Sequence, residues 1–294
     1  MNDQRTYCVG GHLFALDFPP ELLSEKELAP YAPFRTACCS GGDVLFSLSL
    51  VADAASLPPA GQETAAFEDE NGRMTLFTMP SGGLAVHLST PPNSECCRLC
   101  ISPDYRRATA WLGGSCAERH YALDTAMMML YAFAASSHDT LLFHASVVEY
   151  DGNGYLFLGK SGTGKSTHSR LWLQHIAGTT LLNDDNPVVR VVDGRAYVFG
   201  SPWSGKTPCY QNRRAPVGAI VRLHQSPHNA IDRLSGARAY AALLPSCSCM
   251  KWNRPMAEAV HRTIGQVMAS AAVYDMACLP EPEAATLCLK TITA

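Results

Sequence analysis

Gly159-Lys-Ser-Gly-Thr-Gly-Lys-Ser166 decides how this chain is read. It follows an apolar run of strand length, Tyr155-Leu-Phe-Leu158. It opens a segment with amphipathic helical spacing, Ser166-Thr-His-Ser-Arg-Leu-Trp-Leu-Gln-His-Ile176. The pattern is G-x-x-x-x-G-K-S, the Walker A phosphate-binding loop, and its spacing has a mechanical basis. Gly159, Gly162 and Gly164 allow backbone turns that aim successive N–H groups at one point, where a Cβ would intrude. The helix that follows adds its positive end, so the segment is suited to hold an anion. Lys165 then lies along the β- and γ-phosphates of a nucleotide and the Ser166 hydroxyl on Mg²⁺, while Lys160, Ser161, Thr163 and Thr167 complete the nucleotide contacts.

Bulk properties narrow the function classes. The chain has 294 residues, 47% of them apolar and 17% charged, which is the balance of a globular protein with a sizeable core. A formal net charge of −3 argues against a nucleic-acid partner, which calls for a basic stripe. The longest uncharged apolar stretch is 126–135, well short of the roughly 20 residues that span a bilayer, so no membrane partner is expected. The start, Met-Asn-Asp-Gln-Arg-Thr, lacks the layout of a secretory signal, and cytoplasmic placement is expected. There are twelve cysteines. Cys97 and Cys100 form one C-x-x-C, but the pairs Cys247/Cys249 and Cys38/Cys39 do not match it in spacing, so they read as small buried hydrophobes rather than a zinc site.

Two regions follow from the pattern along the chain. Residues 1–120 read as a β-rich region of antiparallel meander type. Its strand-length runs include Val44-Leu-Phe-Ser-Leu-Ser-Leu-Val51 and Met74-Thr-Leu-Phe-Thr-Met79, and Gly41-Gly42, Pro58-Pro59, Asn71-Gly72 and Pro91-Pro92 punctuate them. Residues 121–294 read as an α/β nucleotide-binding domain. Asp124 is the expected N-cap of a buried helix over 125–136. Strands are expected at 141–150, 155–159, 179–183 and 217–224, with a hairpin turning at Asp193-Gly194. Helices are expected at 235–244, 255–272 and 281–292.

The aspartates after the loop sharpen the chemistry. Asp184 and Asp185 end the apolar strand that follows the loop helix. One carboxylate at that place can complete a Mg²⁺ site while its neighbour accepts a proton from an attacking hydroxyl.

His144-Ala-Ser146, the loop at 159–166 and Asn183-Asp-Asp-Asn186 together resemble HPr kinase/phosphorylase, and the plan is shared with phosphoenolpyruvate carboxykinases. The resemblance covers roughly 141–225. It implies a phosphoenolpyruvate carboxykinase-like nucleotide domain using ATP and Mg²⁺. Asp185 would be the general base, Lys165 the phosphate contact, Ser166 and Asp184 the metal ligands, and His144 a neighbour of the transferred phosphate. The acceptor would be a serine of a protein or a small molecule, and because the related kinases are oligomers the resemblance also implies a homo-oligomer. Where those kinases carry a Glu-Ile-Arg-Gly-type segment, this chain has Gly200-Ser-Pro-Trp-Ser-Gly-Lys-Thr207, without an acid. Lys206, Arg213 and Arg214 are candidate phosphate or substrate contacts. Two other functions stay open: a nucleotide-binding regulator or peptide-modification partner without efficient transfer, and a carboxykinase, although that family is much longer.

Overall fold

Alternating apolar residues give strands one buried and one open face, and the turns between them need residues tolerant of unusual backbone angles. Asp151-Gly152 (φ 48° and 71°) and Asp193-Gly194 (φ 50° and 76°) are two such turns, each joining a tight hairpin. The structure is a computed structural model and describes residues 2–37, 44–92, 94–205, 207–250 and 252–293. Cys38, Cys39, Gly41, Gly42 and Lys206 lie outside the described residues. The chain is a mixed α/β protein that divides into two compact units, Met1–Ala134 and Ala135–Ala294.

Among its described residues the first unit carries nine strands: β1 (Asp3–Val9), β2 (His12–Phe18), β3 (Arg35–Thr36), β4 (Phe46–Val51), β5 (Gln62–Asp69), β6 (Gly72–Thr78), β7 (Leu84–Thr90), β8 (Ser94–Ile101) and β9 (Arg107–Leu112). They form one sheet in the order β3-β1-β2-β4-β9-β8-β7-β6-β5. The expected antiparallel meander holds for β5 to β9 but not throughout, because β4 lies parallel to both β2 and β9. The whole β5–β8 run is an excursion between the two parallel neighbours β4 and β9. Helix α1 (Cys116–Ala135) buries Ala122, Leu123, Ala126, Met127 and Leu130. Its Tyr131 hydroxyl donates to the Val9 carbonyl at 2.9 Å. The helix starts earlier than expected. Ser115 and Glu118 form its capping box, each accepting from the other's backbone N–H. Asp124 is therefore an interior residue of α1, and its carboxylate accepts from the Tyr31 hydroxyl at 2.7 Å.

The second unit begins with β10 (Thr140–Leu142), β11 (Ala145–Tyr150), β12 (Asn153–Leu158), α2 (Lys165–His175) and β13 (Thr180–Asp185). It continues with β14 (Val188–Val192), β15 (Arg195–Phe199), β16 (Arg214–Gln225), β17 (Ala230–Leu234), α3 (Gly236–Leu243), α4 (Arg254–Ser270), β18 (Ala272–Cys278) and α5 (Pro282–Ile292). The sheet order is β10-β14-β15-β16-β12-β11-β13, with β18 beside β16 and β17 beyond it. Strands β12, β16 and β18 run parallel, and β13 points the same way because β11 is antiparallel to both β12 and β13. Their carboxyl ends therefore share one edge of the sheet, the place where open α/β sheets bind ligands. One face packs α2 and α5 through Trp172, Phe157, Val221, Tyr274 and Cys288, all buried. Among the described residues no helix is long and apolar enough to cross a membrane.

Candidate functional site

Strand β12 enters the site and ends at Leu158, after which the chain turns through Gly159 (φ 151°), Gly162 (φ 80°) and Gly164 (φ 101°) into α2. Gly159 has a steric reason as well. A Cβ there would overlap the Thr163 hydroxyl and lie 3.1 Å from the Leu223 carbonyl. Thr163 braces the loop by donating both its N–H and its hydroxyl to the Lys160 carbonyl, at 3.2 and 2.8 Å. Ser161 sits exposed at the tip. The second turn of α2 is pinned to the sheet by the buried Ser146–Ser169 hydroxyl pair at 2.6 Å.

The expected catalytic and metal residues come together at this edge. Lys165 is buried, with Nζ donating to the Gly159 carbonyl at 2.9 Å and lying 2.8 Å from His144 Nε2. The His144 Nδ1 lies 3.1 Å from Asp185 Oδ1. An ammonium has only protons to give, so Nε2 accepts and the remaining proton sits on Nδ1, facing Asp185. Burial lowers the Lys165 pKa below its usual value, and the Asp185 and Asp184 carboxylates oppose that shift. Next to this chain, Ser166 Oγ donates to Asp184 Oδ1 at 2.9 Å.

Asp185 occupies an unusual position. Its φ is 141°, on the side of the backbone map where glycine is at ease. Its Oδ2 accepts from the Asn186 side chain at 2.8 Å, so both carboxylate oxygens are oriented. The segment after β15 folds over it, pairing Ser204 with Asp185, and the Gly205 N–H donates to the Asp184 carbonyl at 2.6 Å. A Cβ on Gly205 would stand 3.2 Å from the Asp185 Cβ, which explains glycine at that close approach.

His144 reaches the site because the expected strand over 141–150 is broken. The Phe143 N–H donates to Pro187 and the His144 N–H to the Ser246 carbonyl at 2.7 Å, so β10 and β11 part around the histidine. Other expected contacts are not brought here. Arg213 pairs with Glu149 at 3.3 Å, and Glu149 lies opposite Thr180, at the far end of β13 from the aspartates. Arg214 lies over the Tyr197 ring at 5.0 Å. Trp203, in the segment that replaces the Glu-Ile-Arg-Gly-type one, is a buried, packed aromatic.

A cleft of about 580 Å³ adjoins the other side of the loop. Gly162, Gly164, Thr167, His168, Gln225 and Cys278 contribute to its wall. Gln225 Nε2 donates to the Gly162 carbonyl at 3.2 Å, which leaves its Oε1 as the acceptor end. Sequence reading missed this wall, because Gln225 and Cys278 meet only through the parallel pairing of β16 with β18. Asn186 was within reach of it, being adjacent to the aspartates.

Oxygen donors suit a hard cation such as Mg²⁺, which takes one or two carboxylates plus phosphate oxygens and waters. Ser166 and Asp184 fit that pattern. Among the described residues no group of three or more His, Cys, Asp or Glu side chains is placed to hold a metal by itself. Cys97 and Cys100 are buried on β8, three residues apart and so on opposite faces of the strand.

One solved structure similar to the chain is described as the structure of the Hpr(Ser) kinase/phosphatase from Coxiella burnetii. The identity is 12% over 52% of this chain and 93% of that one, with a TM-score of 0.30, too loose to bear on function. No curated protein matches the chain. A family model described as SynChlorMet cassette protein ScmC matches residues 117–278, more than half of the chain, and the chain belongs to that family.

Proposed function

We propose that this chain is an ATP- and Mg²⁺-dependent phosphotransferase that moves the γ-phosphoryl group to a hydroxyl, on a serine of a protein or on a small molecule. One observation carries the reading. The Ser166–Asp184 pair at 2.9 Å stands beside the Lys165–His144–Asp185 chain at 2.8 and 3.1 Å. The residues at 159–167 would cradle the phosphates, and the cleft beside Gln225 would take the nucleoside. Bound ATP supplies the phosphoryl group, and Mg²⁺ neutralises charge on its phosphates.

The chain's own residues do the rest. Lys165 leaves the Gly159 carbonyl for the phosphates. Asp185 accepts the proton of the attacking hydroxyl on an oxygen lone pair not used by His144 or Asn186. His144 holds the Asp185 carboxylate in orientation and stabilises it when charged. Positioning and charge account for most of the rate in such reactions, and an aligned base adds about 10²–10⁴-fold.

Calorimetric titration with ATP, with and without Mg²⁺, is the first test, and a wild-type chain that binds neither would sink the reading. The second is γ-phosphate transfer to a panel of seryl peptides and small hydroxyl compounds. Asp185→Asn should keep nucleotide affinity and lose transfer by about 10²-fold or more. One feature favours a second reading, a nucleotide-binding partner protein without efficient transfer. The Ser204-Gly205 segment that folds over Asp185 brings a hydroxyl and a bare backbone but no carboxylate. Nucleotide binding with no transfer across the panel would select it.

A further inference from the structure

The first sheet has two ends with different protection. At one end β3 is two residues long, too short to template another strand. At the other, β5 runs for eight residues, pairs with β6 along one side, and has every residue exposed except the half-buried Ala65. It holds no proline, and a single register shift near Thr64 interrupts its ladder. Geometry tells which groups face outward. Glu70-Asn71 is a two-residue connection flanked by the Asp69–Gly72 pair, and such a flanking pair exchanges hydrogen bonds across the hairpin. By alternation Phe67 also bonds to β6, whereas Ala66 and Glu68 point their N–H and C=O groups away from it.

Charge decides what can pair there. Glu63, Glu68, Asp69 and Glu70 line the strand and its turn, against a single base, Arg73, across the hairpin. A second copy of the chain is a poor occupant. Antiparallel self-pairing through the outward-facing Ala66 sets Glu68 of each strand opposite the Glu63–Thr64 bulge of the other, and like charges so placed repel. A strand with lysine or arginine at alternate positions meets the opposite situation. Phe67, 51% exposed, adds apolar surface beside it.

We propose that the outer edge of β5 docks an extended segment of a partner polypeptide bearing alternate Lys or Arg residues, added to the sheet as a further strand. Main-chain bonds to Ala66 and Glu68 would hold the segment, and the acidic side chains would select it. The inference is independent of the nucleotide site and goes beyond the phosphotransferase reading.

A display library of random twelve-residue peptides, selected on the full chain, provides the probe. Ala66→Pro removes an N–H that points away from β6, a change edge strands tolerate, so the hairpin should survive while docking fails. Binders should be enriched in alternating Lys or Arg and lose about tenfold or more in affinity for Ala66→Pro. The double variant Glu63→Lys with Glu68→Lys should reverse the selected charge, and it keeps the test intact should the proline variant melt early. Absence of enrichment, binders without basic bias, or equal binding to Ala66→Pro would overturn the proposal. So would wild-type dimerisation abolished by Ala66→Pro, which would make the occupant a second copy.

Discussion

Single residues carry the site through backbone geometry as much as through side chains. At Gly159 a Cβ would meet the Thr163 hydroxyl, and the φ of 151° is one that side-chain-bearing residues rarely adopt. Gly159→Ala should therefore weaken MgATP binding by about tenfold or more while leaving the circular dichroism spectrum unchanged, because the strain falls on the loop alone. Titration calorimetry reads the first effect. Residue-level chemistry was legible in the sequence where it depends on spacing along the chain. Gly159 to Ser166 is such a case, and so is Asp184-Asp185 at the end of an apolar run. It was not legible where partners meet across strands. The roles of Gln225 and of the broken strand at His144 arise from pairings that no local pattern encodes. Arg213 and Arg214 show the converse, since a basic dipeptide that local pattern offered as a phosphate contact lies at the far end of the sheet.

At the scale of elements, α2 links the loop to the core and carries a titratable group inside it. His168 is buried on the face that packs against Phe157. Its Nε2 accepts from Trp172 Nε1 at 3.2 Å, and burial lowers its pKa to about 4. The folded state thus takes up its proton near pH 4 and the unfolded chain near pH 6.5, so stability is lost as pH falls through that window. Between pH 7 and 5 the wild type should lose about 2 kcal/mol more than His168→Gln, measured by urea unfolding at each pH. Only the difference isolates the histidine, because burial raises the Asp124 carboxyl to about 6 and that group acts in the opposite sense. Elements with strong local signals matched expectation: the loop strand and helix, the Asp193-Gly194 hairpin, and helices α3 and α5. Strands β17 and β18 were missed, since Ala-Ile-Asp-Arg-Leu and Ala-Val-Tyr-Asp-Met-Ala-Cys become strands by pairing with each other and with β16. The start of α1 was misplaced although Ser115 and Glu118 spelled a capping box, because the apolar run from Ala126 drew the boundary inward.

For the whole molecule, the division at Ala134/Ala135 assigns the loop, both aspartates and the cleft to one unit. Hydrogen exchange with a non-hydrolysable ATP analogue and Mg²⁺ should slow amides in 159–167 and 183–186 and leave 62–69 unchanged. Protection spread over the β5 edge would contradict the assignment. Stability is also a property of the whole molecule, and the backbone at Asp185 bears on it. In an ordinary strand, glycine is less stable than alanine by roughly 0.5–1 kcal/mol. At a φ of 141° the ranking should invert, with Asp185→Gly melting above Asp185→Ala by a few degrees although both lack the carboxylate. A residue chosen to hold a strand end together would show the usual ranking. The inverted one would mean that the fold tolerates a misfit conformation here in order to present an acid, so that greater thermal stability and loss of the base would come from the same substitution.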